Sequence, residues 1–266
     1  MKVLVCVPMF NEADTVVDVL HSLRAITDAD ILVVDDGSTD GSLAIIERAG
    51  LRLPHIVRHR RNKGPGFALR TGFCLAQEQR YDQLITIDAD GQHLPSDVPR
   101  LLDALSETEI VSGSRFHPHS PKIGTPPSWR ISANQILTEM VHRHTGYPIT
   151  DSACGLRAYR VSVLSRLRIT ETGYVWPYEL WGQMARLGIS VSEVPVTRIY
   201  ESEDQPDPPD SHTLEQMVVL CERVLLRELR EQSYLTFRLS LILLNVHQNL
   251  QHILKRSLSI LGKFYD

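Results

Sequence analysis

The chain has 266 residues, 42% hydrophobic and 23% charged, an ordinary globular composition long enough to bury a sizeable core. Its formal net charge of −4 and pI near 6.3 give no global basic field, so a nucleic-acid partner is not expected. Cys6, Cys74, Cys154 and Cys221 are far apart and form neither a CxxC pair nor a disulfide framework; they read as reduced thiols of a cytoplasmic chain.

Residues 2–7 are a short apolar run ended by Pro8, and Asn11 and Glu12 break it too early for a signal-peptide core. A buried first strand is expected. Residues 13–25 then place Val16, Val17, Leu20 and Leu23 on one helical face. The strand–loop–helix unit recurs in 31–34 with 42–49, and in 56–57 with 66–77, whose Phe67, Leu69, Phe73 and Leu75 are apolar. Further strands are predicted at 84–87 and 109–112, with a helix over 97–105 between them. A Pro-, His- and Ser-rich loop follows at 116–128, then a helix at 131–144. Residues 151–159 fit either state, while 179–187 predicts a helix that passes through Gly188 into a strand at 191–196. Residues 201–211 are an acidic, Pro-rich loop. Residues 214–264 read as two or three helices, the first with Met217, Leu220, Val224 and Leu225 on one face.

Strands alternating with helices predict an α/β fold, a doubly wound, mainly parallel sheet with a C-terminal helical extension, whose ligands sit beyond the carboxyl ends of the strands. The expected division is a catalytic domain at 1–212, with a nucleotide-binding half over 1–112 and an acceptor half over 113–212, and a tail at 213–266. The most apolar later stretch, 239–246, is far shorter than the ~20 residues of a spanning helix, so no membrane span is expected.

Asp88-Ala89-Asp90 follows the apolar strand directly, and side chains two apart on an extended segment point the same way. Two like charges then converge at the ligand edge, where a hard divalent cation bridging them to a diphosphate would relieve the repulsion, with Gln92 adding an amide oxygen. The plainer alternative is a solvated, Asp-rich turn. Asp35-Asp36-Gly37-Ser38-Thr39-Asp40-Gly41 ends the second strand. One of its carboxylates could meet a ribose hydroxyl or base edge, or the segment could be turn and cap chemistry alone. Phe10, beyond the first strand, could pack on a nucleobase. Lys63 and the amides of Asn62-Lys63-Gly64-Pro65-Gly66 could meet phosphate at a helix start, although neither GxGxxG nor a Walker motif occurs.

In order along the chain, residues 7–12, 34–41, 62–72, 88–95, 113–116, 151–157 and 179–196 resemble the family 2 glycosyltransferases, which have the GT-A fold. Within them, Asp88-Ala89-Asp90-Gly91-Gln92-His93, Gly113-Ser114-Arg115-Phe116, Trp129-Arg130 and Asp151-Ser152-Ala153-Cys154-Gly155-Leu156-Arg157 are most similar to the dolichyl-phosphate mannose and polyprenyl-phosphate sugar synthase branch. The resemblance implies that Pro8, Phe10, Glu12, Val34 and Asp36 line the base and ribose pocket, with Asp88, Ala89 and Arg115 also on the donor. It implies that Asp90 and Gln92, with Asp88, hold Mg²⁺ or Mn²⁺, and that Arg115, Arg130 and Ser132 face an acceptor phosphate. Where that branch has an Arg and a Lys after its last strand, this chain has the acidic run Glu201-Ser202-Glu203-Asp204; Arg198 and His212 substitute only partly.

The expected activity is inverting transfer from a UDP- or GDP-linked sugar to polyprenyl phosphate, with Asp90 holding the metal. Transfer to a glycan or other hydroxyl is the alternative and would need a base, for which Asp151 and Glu179 are the candidates. Glu179 also suits a helix N-terminus. A sugar-phosphate nucleotidyltransferase would want a Gly- and Arg-rich loop where Pro8 to Glu12 stand, and a non-catalytic nucleotide-sugar-binding protein would not need Asp88, Asp90 and Gln92 intact. The apolar and basic residues of 235–264 fit either peripheral contact with the inner face of the membrane or packing against the catalytic domain or a second subunit.

Overall fold

The structure, a computed structural model, describes residues 1–51, 53–200 and 214–230. The acidic loop at 201–211, His212 and the amphipathic stretch at 235–264 lie outside the described residues.

β1 (Val3–Met9), β2 (Asp30–Asp35), β3 (His55–Arg58) and β4 (Gln83–Thr86) form the parallel half of a seven-stranded sheet ordered β3-β2-β1-β4-β7-β5-β8. β5 (Ile110–Ser114) and β8 (Val191–Pro195) pair in parallel at the far side. β7 (Arg157–Arg160), drawn from the stretch that fits either state by sequence, runs antiparallel to both β4 and β5. The sheet is therefore mixed but mostly parallel. A two-stranded ribbon of β6 (Lys122–Ile123) and β9 (Arg198–Ile199) ties the 116–128 stretch, expected to be a loop throughout but giving its last residue to the helix Ser128–Thr145, to the segment after β8.

Both faces of the sheet are covered, which is why its inner strands read as unbroken apolar runs rather than alternating ones. Val5, Val7, Ile31, Val33 and Ile85 point to the side packed by α1 (Val16–Ile26), α2 (Ser42–Arg48) and α4 (Val98–Ala104). Leu4, Cys6, Leu32, Val34 and Leu84 point to the opposite side, where α3 (Pro65–Glu78), α5 (Ser128–Thr145), the short α6 (Val161–Leu164) and α7 (Trp176–Leu187) pack.

A helix over 214–230, α8, joins this second layer through buried Cys221 and Leu225. Gly182 of α7 marks the approach: a Cβ there would lie 2.7 Å from Glu228 Cβ and 2.8 Å from the Leu225 carbonyl oxygen. The expected boundary at 212/213 thus does not separate packing units, because α8 shares the core of the α/β body. Leu220, expected on the apolar face, is exposed at 45%; it lies roughly a quarter-turn from the stripe through Met217, Cys221, Val224 and Leu225.

Candidate active site

The carboxyl ends of β1, β2 and β4 meet at one edge, and the loops there are bound to each other. The Asn11 amide donates to Ser38 Oγ (3.0 Å), the Glu12 amide to Ser42 Oγ (3.0 Å), and the Thr39 amide to Asn11 Oδ1 (2.8 Å). Asn11 holds this junction with φ of 58°, a left-handed conformation that Asn tolerates better than most residues. Beyond it Phe10 stands exposed, and Pro8 and Glu12 are half-buried.

Asp88 and Asp90 flank buried Ala89, whose carbonyl accepts from Thr15 Oγ1 (2.7 Å). The Asp90 carboxylate accepts the Gln92 amide (2.9 Å). Asp88 leans on Gly155, where a Cβ would fall 2.1 Å from Asp88 Oδ2, so only glycine leaves room for the carboxylate. His93 Nε2 lies 3.4 Å from the same oxygen, in a ring whose two nitrogens are buried without a hydrogen bond among the described residues. Burial alone would raise Asp88, but His93 and then the Arg115 and Arg157 guanidiniums outweigh it and hold the pKa below the usual carboxylate value. Burial and then the Asp88 charge raise Asp90; burial and then Asp90 raise Glu12. Three carboxylates crowd one another at an edge where a cation would relieve all of them.

This donor set fits a hard divalent ion. Among the described residues no three His, Cys, Asp or Glu side chains surround one point. Two carboxylates with an amide, however, are what a cation needs when diphosphate and water complete its shell. Gln92 is half-buried beside them.

Several expected ligand contacts meet other demands. Asp36 is buried, with Oδ1 on His59 Nδ1 (2.6 Å) and Oδ2 accepting the Lys63 (3.0 Å) and Gly64 (2.7 Å) amides. The amides expected to meet phosphate are therefore engaged by Asp36, which fixes the turn into α3 and leaves the Lys63 side chain as that turn's exposed cation. Val34 and Ala89 send their side chains into the core, so any contact they make with a nucleotide is through the main chain.

Arg115 and Asp151 form a buried, bidentate pair. Arg115 Nε donates to Asp151 Oδ2 (2.7 Å) and Nη2 to Oδ1 (3.1 Å), while the Arg115 amide adds a third bond at 3.1 Å. Burial would raise Asp151, but Arg115's charge and hydrogen bonds overcome it and lower the pKa, making a weak base. Glu179 is fully buried; it accepts the Thr170 and Glu171 amides and the Thr170 hydroxyl, and Arg227 Nη2 of α8 lies 3.2 Å away. Both candidate bases are thus committed to structure.

Farther out, Arg130 lies over Trp129 (5.2 Å) and Tyr200 (5.6 Å), and Arg198 and Arg115 lie over Phe116 (5.3 and 5.9 Å). Trp129 Nε1, Arg130 Nε and Arg198 Nε are buried with no acceptor among the described residues. Ser132, exposed, donates to the Ser128 carbonyl (3.2 Å). Trp129's N–H, His93, Arg157 and the demand on Gly155 carry no signal in the sequence beyond membership of the quoted motifs, and Arg198 stands there only as a partial substitute. The β6–β9 ribbon that assembles the arginine group is two residues long and unreadable from pattern.

Residues 4–168 match the family described as Glycosyl transferase family 2. The chain belongs to this family. It is 35% identical over 205 residues to an undecaprenyl-phosphate mannosyltransferase of Micrococcus luteus, covering 74% of this chain and 83% of that one. It is 32% identical over 207 residues to a polyprenol monophosphomannose synthase of Mycolicibacterium smegmatis, covering 74% and 77%. Among solved structures, glucosyl-3-phosphoglycerate synthase of Mycobacterium tuberculosis with UDP superposes with a TM-score of 0.62 at 20% identity, over 86% of this chain and 79% of that one. That protein has also been solved with Mn²⁺, UDP and glucosyl-3-phosphoglycerate. The GT-A-like α/β fold and a nucleotide-sugar-dependent glycosyltransferase reaction follow for this enzyme.

Proposed function

We propose that this enzyme transfers a sugar, with inversion, from a UDP- or GDP-linked donor to a polyprenyl phosphate presented at the cytoplasmic face of a membrane. The observation that carries the acceptor assignment is the group of buried N–H donors on Trp129, Arg130 and Arg198, beside Arg115, that have no acceptor among the described residues. Buried donors without acceptors are costly, and a phosphate would satisfy several at once. The names of the two mannosyl relatives agree with this choice.

Phe10, Pro8 and Glu12 would border the base and ribose, with the Asp36-braced turn presenting Lys63 toward the diphosphate. Asp90 and Gln92, with Asp88, would hold Mg²⁺ or Mn²⁺, which when bound stabilises negative charge on the departing nucleoside diphosphate. Arg115, kept in one rotamer by Asp151, and Arg130 would orient the acceptor, with Ser132 at its outer edge. An acceptor phosphate oxygen bonds to the anomeric carbon as the bond to the diphosphate oxygen breaks on the opposite face. Such a nucleophile is already ionised near neutral pH and needs no strong base, which suits a site where Asp151 and Glu179 are engaged elsewhere.

The test is nucleoside diphosphate release across a donor panel, with and without polyprenyl phosphate. Release should depend on the lipid phosphate and on a divalent ion, and Asp90→Ala should abolish it while the fold persists. Equal turnover with a simple alcohol or glycan, and none with polyprenyl phosphate, would refute the acceptor; undiminished turnover in EDTA would remove the metal.

A further inference from the structure

Charge is unevenly spread over this acidic chain. Between residues 58 and 77 stand Arg58, Arg60, Arg61, Lys63 and Arg70 and no Asp or Glu, in a sequence with 32 acidic residues among 266. Arg58 is paired with Asp35 at 3.2 Å. Arg60, Arg61, Lys63 and Arg70 are exposed and form no ion pair among the described residues. Two of these head groups share one ring: Lys63 Nζ and Arg70 Cζ both sit on Phe67, 4.1 and 4.2 Å from its centroid.

Against this turn lies the 170–175 loop. The Gly66 amide donates to the Thr172 carbonyl (2.9 Å), and Glu179 accepts the Thr170 and Glu171 amides. On the clamped loop Tyr174 projects into solvent, 88% exposed. An exposed aromatic ring with a polar tip, on a loop packed against a turn that carries exposed cations, is the surface chemistry of the headgroup region of a bilayer. The turn is bolted by Asp36 to the sheet edge that carries Asp88 and Asp90, so this face borders the mouth of the site.

We propose that Arg60, Arg61, Arg70 and Tyr174 form a docking surface for anionic lipid, which rests the mouth of the site on the headgroup plane. The proposal deepens the polyprenyl-phosphate reading, since an acceptor phosphate anchored in a bilayer reaches Arg115 and Arg130 only if that edge meets the membrane. The surface lies on the α/β body. Each cation near an anionic surface contributes attraction equivalent to about five-fold in partitioning, or ~1 kcal/mol.

The experiment uses the full chain and sedimentation with vesicles of phosphatidylcholine alone or mixed with phosphatidylglycerol, at low and high salt. Wild type should partition onto the mixed vesicles at low salt only. Arg60→Glu/Arg61→Glu/Arg70→Glu should weaken that partitioning on the order of 100-fold, and Tyr174→Ala several-fold. None of these residues is placed on donor or acceptor, so the triple variant should keep nucleotide binding and turnover with a short, water-soluble prenyl phosphate while slowing on bilayer-embedded acceptor. Vesicle binding equal to wild type in the triple variant overturns the proposal, as does a wild type that ignores mixed vesicles. Binding to RNA but not vesicles, lost in the variant, overturns it in favour of a nucleic-acid surface. If the variant loses vesicle binding but no prenyl phosphate is ever used, the surface stands and the acceptor reading falls.

Discussion

At Gly155 the missing side chain matters more than any present one, because Asp88 occupies its space. Gly155→Ala should push that carboxylate aside and lower kcat about 100-fold, a loss typical of small misplacements of reacting groups; metal-dependent turnover at unchanged thermal stability would confirm it. Asp151 tests a different balance. Asp151→Asn leaves the buried Arg115 guanidinium without its anion and should destabilise the chain by about 3 kcal/mol at neutral pH. The folded-state pKa of Asp151 is depressed, so its contribution is present above the ordinary carboxylate value near ~4 and is lost as pH falls through the folded one. Urea midpoints of wild type and variant should therefore converge in acid. The paired carboxylates were legible because a period of two is written in the chain itself. The engagement of Asp36 by residues 23 to 28 positions away, and the turning of Val34 and Ala89 into the core, were not, since they depend on which strands become neighbours.

Among the elements, α1 and α3 followed from apolar periodicity, because each buries a face that its own sequence marks, and the parallel strands from short unbroken apolar runs buried on both faces. β7 did not: its four residues, Arg157–Arg160, are half polar, and what makes them a strand is a slot between β4 and β5. α8 gave its apolar stripe but not its address. Its docking depends on the bare backbone of Gly182, and Gly182→Val should force α8 away from α7 and cost on the order of 2 kcal/mol by overpacking, read as a fall in melting temperature. Loss of the Arg227 contact to Glu179 should accompany it.

For the whole molecule, the two ends of the tail should behave differently. Removing 231–266 leaves the described core intact and should preserve a cooperative melt and nucleotide binding. Removing 214–266 strips Cys221 and Leu225 from the core and should expose apolar surface on α7, giving aggregation or a broad, low melt by calorimetry. A chain that tolerates both cuts equally would show that α8 contributes little to the body it packs on.

The antiparallel β7 also sets an order of birth. β4 and β5 are consecutive in the main sheet by sequence yet do not pair; β7 stands between them, and among the described residues β5 pairs with β7 and β8. As the chain emerges from a ribosome, β1 to β4 can close into a sheet by residue 86, while β5 waits without a partner until residues 157–160 arrive. Gly155, against which Asp88 rests, comes in the same delivery. Asp88 and Asp90 are thus synthesised early and left unfinished for some seventy residues, so a nascent chain holding the whole nucleotide half has the carboxylates but not their seat. Ribosome-stalled chains ending near residue 130 should be catalytically inert, with the enzyme switching on only after β7 has been added to the β4 edge of the first-made strands.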